Sequence, residues 1–314
     1  MNTDIKKTTT GHLCCGAGGD ILASKLSGCS PLWGIDIDDA AVKTARLNHN
    51  DVKILQVDIK NMCDVETVDI LICGIPCQPF TRIGRQLKEK DKRDISLYVA
   101  TTIKKIQPRY LIFENVREYK SSMGFEILNN ELSDYKIHWD TINVADYGIP
   151  QRRKRLFGLG SLDKNITFPK PTHCNPVHAG LFQQLSPWVT FQSIKNGDGM
   201  PPMSAKAIKG IWRRQQKHIS KGNGFSIQII EDDDMCPTVL GQMYRGSGTG
   251  SNSIMIYDRG YLRNISFLEI RRAQGFPEYY IFFGKAKERW LLVGNAFPPL
   301  MARKLIEAII NDNR

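Results

Sequence analysis

An α/β fold is what this sequence predicts: a doubly wound, mostly parallel sheet joined to a smaller, irregular second domain. Three observations carry that prediction. Short apolar runs alternate with amphipathic or alanine-rich stretches through the first half of the chain, the rhythm of βαβ units. Several of those runs end on Gly, Asp or Glu, which places chemistry at the carboxyl edge of the sheet, where such folds bind ligands. After Gly160 the rhythm dissolves into Pro, Gly and polar residues, and order returns only at Ser266.

The elements can be justified in turn. Thr8 to Cys15 reads as a strand running into Gly16-Ala17-Gly18-Gly19, with a helix to about Ser27. Leu32 to Asp36 is a short strand, and Asp39 to Asn48, rich in Ala, is helical. Ile54 to Val57 is a strand closed by Asp58-Ile59. Val68 to Cys73 is a buried strand, Ser96 to Lys105 a helix, and Arg109 to Phe113 a strand ending at Glu114-Asn115-Val116. Pro298 to Ile310 reads as a C-terminal helix opened by proline.

Composition narrows the class further. A chain of 314 residues can hold one large domain and a smaller companion. With 41% hydrophobic and 24% charged residues it reads as soluble and globular. No apolar run approaches a membrane span, and the first residues lack the apolar core of a secretory signal. The eight cysteines show no zinc-type CxxC pairs, so no metal is expected and the thiols read as reduced, in a cytoplasmic setting. Residues 151 to 230 hold thirteen Lys or Arg against two Asp or Glu, while the rest of the chain is neutral. A basic block confined to one segment points to a polyanion, above all nucleic acid.

Gly74-Ile75-Pro76-Cys77-Gln78-Pro79-Phe80 is the most informative motif. It places Cys77 on a Pro-stiffened turn just past a buried strand, a position suited to a nucleophile, whereas Cys73 inside the strand suits a buried hydrophobe. Gly16-Ala17-Gly18-Gly19 between strand and helix suits a small-molecule site at a helix N-terminus. Asp36, at the next strand end, can accept hydrogen bonds from ribose hydroxyls. A dehydrogenase fingerprint would need glycine at position 21, where Ile21 stands. Asp58 adds a polar group suited to an adenine amino group, or caps a helix.

Several segments in one order then match a single family. The chain resembles the DNA cytosine-5 methyltransferases, outside roughly 161 to 260. The matching segments are Cys15 to Gly19, Gly34 to Asp38, Gly74 to Phe80, Asp91-Lys92-Arg93 with Leu97, and Glu114-Asn115-Val116. They continue with Asp146 to Arg155, Arg272 to Pro277, and Gly294-Asn295-Ala296-Phe297-Pro298. The resemblance implies a Rossmann-like fold using S-adenosyl-L-methionine. It implies cofactor contacts from Gly16, Ala17, Gly18, Gly19, Asp36, Ile37, Asp58, Ile59, Gly74, Pro76, Leu97, Asn295 and Ala296. It divides the chain into a catalytic and cofactor-binding domain over 1–160, a target-recognition domain over 161–262, and a return segment over 263–314 whose last helix packs on the first domain.

The implied chemistry is covalent. Carbon 5 of cytosine is a poor nucleophile until a thiolate adds to carbon 6 and makes it enamine-like. Cys77 is the implied nucleophile, and Glu114 the group that hydrogen-bonds or protonates ring N3. If Gln151 to Arg155 is extended, Arg153 and Arg155 point together, towards Glu114, the base carbonyl or a phosphate. A base stacked in a duplex must be flipped out to reach this site. Residues 81 to 94, with six Lys or Arg, read as a lid, so Gln78, Arg82 and Arg85 are candidate DNA contacts. Thr238, Gln242 and Arg245, in and before a glycine-rich stretch, are candidate base readers. Ile208, Ile211, Trp212 and Ile219 form a stripe at helical spacing that reads as core, flanked by Lys206, Lys209, Arg213, Arg214 and Lys217.

Two positions depart from the family pattern. Cys14 stands where a Phe usually packs on adenine, and Leu268 replaces an arginine ahead of Arg272, removing one support of that segment. The expected protein is a monomeric enzyme making 5-methylcytosine in double-stranded DNA, prokaryotic or phage-encoded, beside a separately acting restriction endonuclease. Two alternatives stand: the same fold and chemistry acting on transfer RNA, or a DNA-binding relative without turnover. The length of the target region and its glycine-rich tail favour DNA, and Cys77, Glu114, Arg153 and Arg155 favour turnover.

Overall fold

Seven strands form the central sheet of the computed structural model, in the order β3-β2-β1-β4-β5-β7-β6. The structure describes residues 7–62, 64–76, 94–179, 184–196, 200–220, 222, 227–241, 244 and 254–312. In chain order the first part of the fold is β1 (Thr9–Leu13), α1 (Gly19–Leu26), β2 (Ser30–Asp36), α2 (Asp39–Asn48), β3 (Lys53–Gln56) and β4 (Ile70–Gly74). It continues through α3 (Ser96–Ile106), β5 (Tyr110–Asn115), α4 (Met123–Glu131), β6 (Lys136–Asn143) and β7 (Lys154–Ser161).

Strands β1 to β5 are parallel, so their carboxyl ends share one edge. The order reverses between β1 and β4, the switch point at which open α/β sheets bind ligands. Ile70, Leu71 and Ile72 of β4 and Leu111 and Ile112 of β5 are fully buried, because helices cover both faces of a parallel sheet. β7 runs antiparallel to β5 and β6, so its first residues return to that same edge. The sequence-based expectation of a mostly parallel sheet therefore stands, with an antiparallel pair at one side.

The chain divides into two compact units. The first comprises Met1–Asn143, Lys154–Lys170 and Ala296–Arg314, and includes α9 (Pro299–Asp312) packed on α1. The second comprises Val144–Arg153 and Pro171–Asn295. It contains β8 (His173–Cys174), α5 (Pro176–Ala179), β9 (Ser186–Pro187), α6 (Ala205–Ile219), β10 (Gln228–Ile230), β11 (Ile254–Asp258), β12 (Tyr261–Asn264), α7 (Phe267–Ala273) and α8 (Ala286–Asn295).

This partition differs from the sequence-based boundaries at three places, one of them residues 161–170, which lie in the first unit. Residues 144–153 belong to the second unit, and the return to the first begins at Ala296 rather than at 263. A buried ion network ties the start of the 263–295 stretch to β11: Arg263 binds Asp258 through Nε and Glu269 through Nη1 and Nη2, at 2.7–3.0 Å. Glu269 is also half of the capping box that starts α7 with Ser266. Arg263 thus fastens α7 to the β11-β12 hairpin, where Leu268 brings no charge of its own.

The apolar stripe of α6 is only partly core, which corrects the sequence-based expectation. Ile211 is buried, but Trp212 is 44% and Ile219 54% exposed. The packed side runs through Ala207, Ile208, Ile211, Arg214 and Gln215, and at 100° per residue Trp212 lies outside that arc.

Candidate active site

The glycine turn is built by backbone conformations that side chains resist. Gly16 has φ +53 and Gly18 φ +81, and Gly18 is the left-handed N-cap of α1. Among the described residues, a Cβ at Gly16 would meet no atom within 4 Å, so that side of the turn is open. Asp36 ends β2 beside it. Its Oδ2 accepts from Gly16 N at 2.8 Å and its Oδ1 from Asp38 N at 2.9 Å. Burial raises the Asp36 carboxyl above its usual range, against the lowering effect of those backbone bonds. The carboxylate, with acceptor sites for about four hydrogen bonds, keeps capacity for a ligand hydroxyl.

Two histidines that the sequence reading passed over support this turn. His12, buried in β1, sits 2.8 Å through Nδ1 from Asp20 Oδ2 and 2.9 Å through Nε2 from Thr10 Oγ1. His49, the C-cap of α2, donates from Nε2 to the Gly18 carbonyl at 3.0 Å. Neither carries a sequence signal, because a single His in an apolar strand or at a helix end fits many local roles.

The remaining cofactor candidates take varied positions. Asp58 caps a short 3₁₀ turn, Ile59–Asn61, by accepting from Lys60 N at 3.0 Å. Ile59 is buried beneath that turn, while Ile37 is 62% and Leu97 48% exposed. A Cβ at Gly74 would lie 3.1 Å from the Cys14 carbonyl, so β4 leaves the sheet in close contact with the glycine turn. Ala17 and Ala296 are buried, Gly19 opens α1, and Asn295 ends α8 in the second unit.

At the same edge, Glu114 near the end of β5 lies 3.3 Å from Nε of Arg155 near the start of β7. Both side chains are about nine-tenths buried, so the pair is well shielded from water. Arg153 precedes β7. β7 begins only at Lys154, so the alternation that would align the two arginines does not extend back to Arg153. The Arg153 guanidinium is buried in the second unit, donating to the carbonyls of Val239 at 3.1 Å and Gly294 at 3.2 Å. Gln151 completes this knot: Oε1 accepts from Val239 N, and Nε2 donates to Ala273 O and Gln274 Oε1. Thr238 donates its hydroxyl to the Arg152 carbonyl at 2.6 Å.

Cys77, Gln78, Arg82, Arg85, Gln242 and Arg245 lie outside the described residues; Pro76 is the last described residue before Cys77. Five of the described cysteines are poorly suited to a nucleophile's role. The thiols of Cys14, Cys15, Cys29, Cys73 and Cys236 are all pushed up, with burial the largest cause in each. Asp36 and Asp20 add to the effect at Cys14 and Cys15.

A family model described as C-5 cytosine-specific DNA methylase matches residues 8–311. Among curated proteins, the Type II methyltransferase M.NgoMIV of Neisseria gonorrhoeae is 26% identical, over 97% of this chain and 99% of its own length. Type II methyltransferase M1.HphI of Haemophilus parahaemolyticus is 27% identical, over 96% of this chain and 86% of its own. Among solved structures, Dnmt2 methyltransferase of S. pombe shares the fold with a TM-score of 0.73 at 18% identity, covering 98% of this chain and all of that one. The chain belongs to the C-5 cytosine-specific DNA methylase family.

Proposed function

We propose that the protein transfers a methyl group from S-adenosyl-L-methionine to carbon 5 of a flipped-out cytosine in double-stranded DNA, through a covalent bond from Cys77 to carbon 6. One observation carries the reading. The ends of β1, β4 and β5 and the start of β7 are consecutive neighbours on one edge. They present, in that order, the glycine turn, the segment leading into Cys77, Glu114 and Arg155. Neighbouring strands lie about 4.8 Å apart, so glycine turn and Glu114 flank the β4 exit at roughly 10 Å, enough for a base and a methyl donor side by side.

The division of labour follows from chemistry. Cys77, as thiolate, forms the bond to carbon 6 and turns carbon 5 into a nucleophile. Glu114, taking up a proton as the base enters, would donate it at N3, where negative charge develops, and Arg155 holds that carboxyl in place. The bound cofactor supplies a methyl group on a sulfonium, which carbon 5 can accept. Loss of the proton from carbon 5 to a water-derived base then restores the double bond and breaks the carbon–sulfur bond. Gly16, Ala17, Gly18, Gly19, Asp36, Ile37, Asp58, Ile59, Gly74, Pro76, Leu97, Asn295 and Ala296 would hold the cofactor. The high thiol pKa of the other cysteines beside the turn supports Cys77 as the nucleophile.

The reading extends to recognition. The 171–295 segment would carry target recognition through Thr238, Gln242 and Arg245, with Gln78, Arg82 and Arg85 closing on the DNA. The Type II designation of its relatives fits a cytoplasmic modification enzyme, acting as a monomer beside a separate restriction endonuclease. The test is direct. Purified protein and S-adenosyl-L-methionine are incubated with duplex DNA of mixed sequence and, separately, with transfer RNA, and 5-methylcytosine is mapped at single-base resolution. Methylation confined to one DNA sequence context is expected. Methylation of the RNA alone, or of neither, would overturn the reading.

A further inference from the structure

Helix α6 carries an unusual surface for its place in the second unit. Its fifteen residues include Lys206, Lys209, Arg213, Arg214 and Lys217, and no Asp or Glu. At 100° per residue, Lys206, Lys209, Arg213 and Lys217 fall within about 80° of the circumference, on the side opposite buried Ile211. All four are exposed. None forms an ion pair with a described residue, although cations elsewhere in this unit, such as Lys195, Arg263 and Arg272, are paired with carboxylates. Trp212 lies at the margin of this face, with 44% of its surface open to water.

A solvated lysine face normally tolerates acidic neighbours, and interspersed charge is the usual composition of a soluble surface. Four like charges on one stripe repel each other, at a cost to the isolated helix of a few tenths of a kcal/mol per i,i+4 pair. An indole left in water beside them adds apolar exposure. The arrangement fits a polyanion that neutralises the charges and gives the ring a surface to rest on.

We propose that the α6 face grips the sugar–phosphate backbone of duplex DNA, independently of sequence, with Trp212 packed against the sugars. The dimensions agree: Lys206 to Lys217 spans about 17 Å along the helix, over which one strand of DNA presents about five phosphates. Lysine and arginine side chains supply charge but no base readout from such a position, so the face sets affinity and orientation while other residues choose the sequence. This proposal rests on the reading of the protein as a DNA methyltransferase and adds a binding surface to it.

The test compares the wild-type protein with K206Q/K209Q/R213Q/K217Q, four exposed changes that leave the packed side of α6 intact. Equilibrium binding to a methylatable duplex and to an unrelated duplex is measured across salt concentrations. The expected result is a slope of log affinity against log salt that is shallower by about three to four, at roughly 0.9 for each phosphate no longer neutralised. Affinity near physiological salt should fall by about tenfold or more, equally for both duplexes. R213K, which keeps the charge, should leave the slope unchanged, and W212A should weaken both duplexes alike without altering it. An unchanged slope in the quadruple variant, or a drop in affinity confined to the methylatable duplex, would overturn the proposal. Stronger competition by an RNA duplex than by DNA of equal length would overturn it as well. Methylation by the wild-type protein is scored in the same preparations, so failure of the enzymatic reading shows separately from failure of the α6 surface.

Discussion

Burial, with the charge of Lys25 adding to it, pushes the His49 imidazole from 6.5 down to about 4, which leaves it neutral and able to donate to the Gly18 carbonyl. The sign of the consequence follows from linkage. The unfolded chain binds a proton near 6.5 that the folded chain refuses until about 4, so stability is full above 6.5 and falls as pH drops through that window. Between pH 8 and pH 5 the loss from this one group is about 2 kcal/mol. Urea denaturation of His49→Asn at the two pH values should show a gap smaller than the wild-type gap by that amount; an equal gap would mean that His49 does not titrate as described. The strand-end positions of Asp36 and Glu114 were legible because a carboxylate closing a buried apolar run stands out in the sequence. The two histidines were not, since their partners, Asp20 and the Gly18 carbonyl, are set by packing between separate elements. The bonds of Arg153 to the Val239 and Gly294 carbonyls were not legible either, since both partners lie far along the chain.

Helix α8 meets the segment 239–241 with no space between backbones. A Cβ on Gly294 would lie 2.0 Å from Gly241 N and 2.5 Å from the Leu240 carbonyl carbon. Those atoms belong to backbone and cannot swing aside as a side chain can. Gly294→Ala should therefore destabilise the protein by about 3 kcal/mol, at the upper end of overpacking costs, and displace the carbonyl that Arg153 uses. A thermal melt indistinguishable from wild type would show that the two segments are not in contact. Among the elements, α2 and α3 were readable to within a residue, since Asp38 and the alanines mark one and an apolar stripe the other. The antiparallel pair β6-β7 was not, because Lys136–Asn143 is a partly exposed strand whose pairing depends on β5 lying beyond β7.

At the scale of the molecule, the first unit is assembled from three stretches of chain, and the second from two. Order in the sequence revealed the family because the motif segments keep their succession even though they alternate between units. The path of the chain across 144–153 was hidden, since it depends on Gln151 and Arg153 finding partners far along the chain. The central claim is the covalent step at Cys77, and the measurement that tests it most directly is trapping on modified DNA. A duplex with 5-fluorocytosine at the methylated position cannot lose fluorine as a cation, so the carbon–sulfur bond cannot break after methyl transfer. The expected result is an adduct that survives denaturation, requires S-adenosyl-L-methionine and maps to the peptide containing Cys77. Cys77→Ser should abolish it while still binding unmodified DNA, since an alcohol is scarcely ionised near neutral pH. Absence of any adduct with the wild-type protein on a duplex it otherwise methylates, or a normal methylation rate in Cys77→Ser, would contradict the account.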